Sequence, residues 1–337
     1  MIPDFSPHEA TFLLYPERKD VWRKNALPIQ DTITSLANLI SEFEQVYLGY
    51  EIPVTQRLAS GVKTVEMQYN DVWARDTGLI PVESGKGVRF LFNAWGGEDG
   101  LYDDWRKDLT VARRMADILG AEIIESELTL EGGNLTSDGR GTLIAVKPTL
   151  CGKNRNPRFS EEKIEKLLLE ALCVKRIIWL SEGLKYDETG GHVDNLCAFA
   201  DERTIFLAWT EDKNNPQYEV VNDAYKILSE AKSSDGGKYE IIKVPLPEAF
   251  ARTAEDCEGV EYSDGSKNRP IGEIIQPSYI NFAFVNGGVI VPQFGDKNDE
   301  RTLSLFKRFF KDRRVLPFAS REIVLGGGGI HCLTKNF

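Results

Sequence analysis

The 337-residue chain reads as a single α/β domain made of five similar modules closed into a ring. Three observations predict this. Five segments carry helical periodicity, and their starts near 30, 104, 161, 219 and 298 lie 57 to 79 residues apart. Short β-rich runs, several per helix, fill the intervals. Neither a low-complexity stretch nor a linker divides the chain, so residues 1–337 form one domain. One helix and several short strands per unit of about 67 residues is the pattern of a repeat architecture, although the units do not visibly repeat in sequence. A doubly wound α/β domain is the alternative. It needs fewer, longer buried strands and a glycine-rich first turn.

In chain order the helices fall at 30–45 (QDTITSLANLISEFEQ), 104–119 (DWRKDLTVARRMADIL), 161–173 (EEKIEKLLLEALC), 219–232 (EVVNDAYKILSEAK) and 298–310 (NDERTLSLFKRFF). In each, apolar residues recur at three- and four-residue steps and mark one buried face. The strands are QVYLGY, VRFLFNAW, TLIAVKP, KRIIWL, TIFLAWT, YEIIKVPL, NFAFV, GVIVPQF and REIVLGG. The polar stretch 253–274 reads as a long surface loop suited to a lid.

Composition narrows the function. The chain is 42% hydrophobic and 28% charged, as globular proteins are. A net charge of −11 opposes nucleic acid and suits a small cationic ligand drawn in by the field. No window has the length of uninterrupted apolar residues that a membrane helix needs. Five scattered cysteines, without a CxxC pair or a basic apolar leader, point to free thiols, no metal site and a cytoplasmic setting.

The chemistry-bearing residues cluster at glycine-marked turns. In MQYNDVWARDTGLIPV, Trp73 and Asp76 set a π-face and a carboxylate three residues apart, a pairing that suits a planar cation. Their ordinary reading is a core tryptophan beside a turn aspartate. Asp76-Thr77-Gly78 does not read as an aspartic protease, which needs a second such loop and an apolar flank where Arg75 stands. In LTLEGGNLTSDGRG, Glu131 closes a strand before Gly132-Gly133, and Asp138-Gly139 makes the next hairpin turn. The chain has only three histidines, His8, His192 and His331. His192 lies in YDETGGHVDNLCAF, where a strand would put it on one face with Asp194.

The tail, LGGGGIHC, removes side-chain bulk before Cys332 and sets its thiol at a strand end. No Lys-Ser/Thr follows as in a phosphate-binding loop, and neighbours on a strand diverge, so His331-Cys332 is no metal pair. A nucleophilic cysteine with a distant base remains. Cys173, on an apolar helix face, and Cys197, between Leu196 and Ala198, read as core residues. Several carboxylates around a thiol do not suit a protease, which stabilises an oxyanion with donors. They suit a substrate that is cationic at the carbon attacked, a guanidinium.

These residues resemble the agmatine deiminases of the guanidine-modifying superfamily, near the bacterial-type peptidylarginine deiminases. The resemblance spans nearly the whole chain, through YPERKDVWRKNALPIQ, NDVWARDTG, EGGN, KNRNPRFS, DETGGHVDN, LAWTEDKNNPQYE, SYINFAFVNGGVIVPQFGDKND and GGGGIHC. It implies the five-bladed α/β propeller (pentein fold) and hydrolysis of agmatine to N-carbamoylputrescine and ammonia, without metal or organic cofactor. It also implies a homo-oligomer. By the same resemblance Cys332 is the nucleophile and His192 the acid/base group, which Glu131 orients. Asp76 and Asp194 grip the guanidinium from two sides beside Trp73. Glu188 is assigned to the amine end of the substrate. Three positions depart from the family pattern: Gly329 replaces an asparagine, Gly190 a threonine and Leu79 a proline. Loss of the amide at 329 is expected to slow the reaction or loosen the loop. A relative acting on arginine or peptidylarginine, and a weakly catalytic guanidine- or polyamine-binding sensor, are the alternatives.

Overall fold

The computed structural model describes residues 1–337. Five small mixed sheets repeat one design. In each, a central strand pairs antiparallel with one neighbour, then runs through a helix into a parallel partner on its other side. The central strands and their helix-linked partners are Ala10–Leu14 with Gln45–Tyr50, Lys86–Leu91 with Glu122–Thr129, and Thr142–Val146 with Arg176–Leu180. The last two pairs are Thr204–Trp209 with Glu240–Pro245, and Gly288–Gln293 with Arg314–Ala319. None of the sheets is closed on itself.

The crossover helices are Leu27–Ile40, Asp108–Leu119, Glu161–Ala171, Tyr218–Glu230 and Asp299–Phe309. All five expected helices are present, each within a few residues of its expected start. In the first, Ile29, Ile33, Leu36, Ala37 and Ile40 are buried, the spacing of one helical face. Each Leu or Ile so buried contributes about 2 kcal/mol. The Ser160 hydroxyl caps the third by accepting from the Lys163 N–H (3.3 Å), and Gly120 ends the second in a left-handed turn at φ 66°. Central strands such as Thr142–Val146 are buried along their whole length, because helices cover the sheet.

The differences from the sequence reading are local. REIVLGG is not a strand. Arg321–Val324 forms one helical turn in which the Ile323 and Val324 amides bond back to Ser320. The strands passed over include Ala10–Leu14, Val62–Glu66, Glu122–Thr129 and Arg314–Ala319, which are fixed by parallel pairing that no local period announces. Cys173 is exposed and sits beyond its helix at φ 53°, so it is not a core residue, whereas Cys197 is fully buried. The stretch 253–274 is a pinned flap rather than a free loop. Arg321 holds Asp256 at 2.6 and 2.9 Å, and the flap's own Arg269 is buried. No helix is long and apolar enough to cross a membrane.

The C-terminus matters most for the site. Lys335–Asn336 pairs antiparallel with Ala10–Leu14 and so completes the first sheet. This fixes Cys332, three residues earlier, where Trp73 and Asp76 from the first half of the chain meet Asp194 and Asn281 from the second.

Candidate active site

The residues singled out in the sequence converge, but on helical turns rather than strand ends. Trp73 precedes the turn Ala74–Thr77, which carries Asp76. His192 is extended (φ −83°, ψ 152°) immediately before the turn Val193–Leu196, which carries Asp194. Cys332 lies in the turn Ile330–Leu333. Glu131 stands between a strand and the 3-10 turn Gly132–Asn134. The expected strand faces are therefore absent. The same side chains meet because each short turn sits where two sheets adjoin and rotates its polar residue inward.

Every member is buried: Cys332 is 6% exposed, His192 1%, Asp194 3%, Asp76 7% and Glu131 1%. Of these, Cys332, His192 and Asp76 line one cavity, together with Trp73, Glu188 and Gly326–Gly328. The Cys332 Sγ lies 3.4 Å from Asp194 Oδ2. His192 Nδ1 is 3.9 Å from Asp76 Oδ2, and its Nε2 is 3.6 Å from Glu131 Oε2. Those are charge contacts longer than hydrogen bonds. His192 Nε2 and Asp194 Oδ1 are both buried without a hydrogen-bond partner.

The carboxylates are held individually. Asp76 accepts from Trp95 Nε1 (2.9 Å) and from the Gly133 N–H (2.8 Å). Glu131 accepts from Arg155 Nε (2.5 Å), and Arg155 Nη2 donates to the Thr189 carbonyl (2.9 Å). Asp194 Oδ2 meets His331 Nδ1 at 2.9 Å, and His331 Nε2 meets Asp4 Oδ2 at 3.1 Å. Asp4 is held in turn by Arg75 (2.9 Å). These supports set the charge states. Burial pushes Asp76 up to about 6, with Asp194 and Glu131 adding to it against the pull of His192. Burial opposes charge on His192, yet Asp76 and Glu131 raise it to about 9. Burial and the neighbouring Asp194 and Asp76 hold the Cys332 thiol well above its usual range. Glu131 and Asp194 lie below theirs: burial opposes their ionisation, but Arg155 and His192 outweigh it at Glu131, and His331 does so at Asp194. With His192 charged, the pocket keeps net negative charge facing an uncharged thiol.

Glu188 lines the cavity wall beneath the flap. It accepts from Arg269 (2.5 and 2.8 Å), and Lys267 Nζ is 3.1 Å away. Burial pushes the Glu188 carboxyl up, but Arg269 and Lys267 together hold it below its ordinary value. It is thus an ion-paired group rather than a free carboxylate.

The glycine run makes room for four different neighbours. A Cβ would meet the Trp22 ring at 1.9 Å from Gly326, Glu188 at 2.7 Å from Gly327, Trp73 at 2.4 Å from Gly328 and Asn281 at 2.3 Å from Gly329. Gly327 also has φ 101°, a backbone that favours glycine. Trp22 and Trp73 pack together behind the run, with ring centroids 5.9 Å apart and planes tilted by 41°.

Sequence reasoning missed Trp95, Arg155, Asn195, Asn281, His331 and Asp4. For Trp95, which follows Ala94 in FNAWGG, the signal lies in the backbone and not in the sequence. Both residues adopt positive φ (60° and 52°), conformations that non-glycine residues rarely hold without a reason. His331 had been set aside because strand neighbours diverge. On a helical turn it faces Asp194 while Cys332 faces the cavity. No group of three or more His, Cys, Asp or Glu is arranged to hold a metal ion.

A thiol below two carboxylates, with a charged imidazole between them and a tryptophan wall, is an arrangement that can bind a planar cation and attack its central carbon. Hydrolases of guanidinium compounds form the class with these requirements. The model of Porphyromonas-type peptidyl-arginine deiminase matches residues 1–337, and the chain belongs to that family. It is 39% identical to an agmatine deiminase of Ectopseudomonas mendocina, over 99% of this chain and 94% of that protein. The structure of agmatine deiminase of Enterococcus faecalis, described as catalysing its reaction, superposes with a TM-score of 0.95 at 34% identity, over 100% of this chain and 94% of that one. Agmatine deiminase of C. jejuni with substrate bound superposes at 0.85 with 26% identity, over 99% and 95%.

Proposed function

We propose that the protein hydrolyses agmatine to N-carbamoylputrescine and ammonia through a covalent intermediate on Cys332. The observation that carries this is the unpartnered, buried Asp194 Oδ1, on the carboxylate whose other oxygen lies 3.4 Å from the Cys332 sulfur; a guanidinium N–H would complete it. Curated relatives bearing the name agmatine deiminase along nearly their whole length support the substrate.

Asp76 and Asp194 hold the guanidinium plane from two sides, and Trp73 closes the wall. The cation placed over the sulfur offsets the carboxylates that keep the thiol protonated, so binding itself favours the thiolate. Sulfur attacks the central carbon, and the tetrahedral adduct collapses as His192 protonates the departing nitrogen, releasing ammonia. His192, now neutral, takes a proton from water attacking the S-alkylthiouronium carbon. Loss of the Cys332 thiolate then gives the urea product. Glu131, anchored by Arg155, orients His192.

Glu188 faces the distal amine of agmatine. Its pairing with Arg269 and Lys267 favours a second reading, free arginine, whose carboxylate these cations would accept. Ammonia release from agmatine and arginine side by side decides between them. Release from agmatine alone supports the proposal, and release from arginine alone overturns the substrate. Silence on both, with agmatine bound, makes the protein a sensor.

The charge states predict the pH profile. Grip requires Asp76 ionised and proton donation requires His192 charged. Asp76 loses its proton as pH rises through about 6, and His192 loses its own near 9. We expect kcat/KM for agmatine to rise across the first value and fall across the second, the two limbs belonging to the coupled pair. A limb near 9 that persists unchanged in His192→Gln contradicts the assignment of His192.

We infer further that the five units close into a five-bladed propeller, one catalytic domain. The C-terminal strand that completes the N-terminal sheet supports it. A cytoplasmic setting and a homo-oligomer complete the proposal; the free thiol at the site suits the first, and light scattering on the purified chain tests the second.

A further inference from the structure

The sequence reading expected Gly329 to cost the site an amide. The structure shows an amide at the sulfur from another element. Asn281, just before the strand Ala283–Val285, places its Nδ2 3.1 Å from the Cys332 Sγ, and its Oδ1 accepts the Cys332 N–H at 3.2 Å. Its backbone carbonyl accepts the His331 N–H at 3.2 Å, so one residue clamps the turn Ile330–Leu333 through main chain and side chain together. Asn281 is 1% exposed.

The orientation of this amide is set from a distance. Asp187 Oδ2 accepts from the His192 N–H (3.0 Å) and from Asn195 Nδ2 (2.9 Å). A carboxylate accepts only, so Asn195 must turn its NH2 toward Asp187 and its carbonyl oxygen toward Asn281. Asn281 Nδ2 donates to that oxygen at 3.0 Å. With its own Oδ1 occupied by the Cys332 N–H, the remaining Nδ2 hydrogen has one direction left, toward sulfur. We propose that Asp187, Asn195 and Asn281 form a polarised hydrogen-bond chain that ends in a fixed donor on Cys332 Sγ and stabilises its thiolate. Asn281 touches the reacting atom, while Asp187 and Asn195 are positioning residues. The chain begins at the main chain of His192, so acid/base group and nucleophile share one scaffold.

Gly329 is the complement of this device. Its backbone (φ −132°, ψ −164°) is open to any residue, but a Cβ there would stand 2.3 Å from Asn281 Oδ1. A side chain at 329 would therefore push the Asn281 amide from its present position against the sulfur.

The inference rests on Cys332 being the nucleophile, and the test separates the two. Alkylation of Cys332 by iodoacetamide is followed by site-resolved mass spectrometry against pH, with Cys257 as the internal reference, in the wild type, Asn281→Ala, Gly329→Ala and the double variant. Thiolate fraction sets the rate, so loss of a donor to a charged group displaces the Cys332 profile to higher pH and slows labelling at neutral pH about ten- to a hundred-fold. Turnover in the single variants falls in kcat with KM for agmatine held. Gly329→Ala slows labelling in the wild-type background and adds nothing once Asn281 is alanine, because the clash partner is gone. Coincident profiles in wild type and Asn281→Ala overturn the inference, as do effects of the two substitutions that simply add. Undiminished turnover in Cys332→Ala instead defeats the nucleophile assignment, and the labelling experiment still reports whether Asn281 acts on the thiol.

Discussion

Replacing Cys332 with alanine lowers ammonia release from agmatine about a million-fold, the scale seen when a covalent nucleophile is removed. The reason is local. The Cys332 Sγ is the one thiol that touches the Asp194 and Asn281 side chains, and the other four cysteines lie elsewhere. The substitution leaves Asp76, Asp194 and Trp73 in place, so agmatine still binds. Removing a thiol that burial keeps uncharged changes little in the electrostatics of the empty pocket. Steady-state ammonia assays read the loss, and calorimetry reads the retained affinity. Loss of both together would mean that the fold, not the chemistry, had been hit.

The candidate site was largely legible in the sequence because the informative residues are rare or placed in unusual settings. Three histidines and a glycine run ahead of a cysteine leave few candidates. What the sequence hid was geometry. Strand periodicity was assigned around His192 and Cys332, yet both flank or occupy single helical turns, whose four residues carry no period. The supporting shell was also out of reach. Asn281 lies 51 residues from Cys332, and Asp4 lies 327 from His331, and only the tertiary fold pairs them.

The second large effect is expected at His192. His192→Gln keeps the size of the side chain but cannot donate or take a proton at the leaving nitrogen or the attacking water. A positioned acid/base group accounts for about 10²–10⁴ in rate, and here one group serves both halves of the reaction. We expect kcat to fall by about 10⁴. KM for agmatine changes by only a few-fold, because deleting the imidazolium removes a repulsion from the guanidinium but also the pull that helps keep Asp76 ionised. Initial rates across agmatine concentrations separate the two parameters. A raised KM with kcat intact would make His192 a binding residue instead.

The architecture was legible to a similar depth. The five amphipathic helices were readable because each buries one face, and helix periodicity survives in sequence. The parallel strand Arg314–Ala319 was not, since Pro317 interrupts its β pattern and its pairing partner lies across a helix. The glycine run looked like one feature and proved to be four separate close approaches, to Trp22, Glu188, Trp73 and Asn281. The departure at Gly329, read as a defect, is the space that Asn281 uses.

The central claim is that the reaction passes through a bond between Cys332 and the guanidinium carbon. Intact-protein mass spectrometry after acid quenching, during turnover of agmatine, tests it most directly. The account predicts a mass gain equal to agmatine less ammonia. It maps to Cys332 on peptide digestion, accumulates in His192→Gln if water attack becomes limiting, and is absent from Cys332→Ala. Steady turnover with no adduct in any of these proteins, or an adduct on another cysteine, would contradict it.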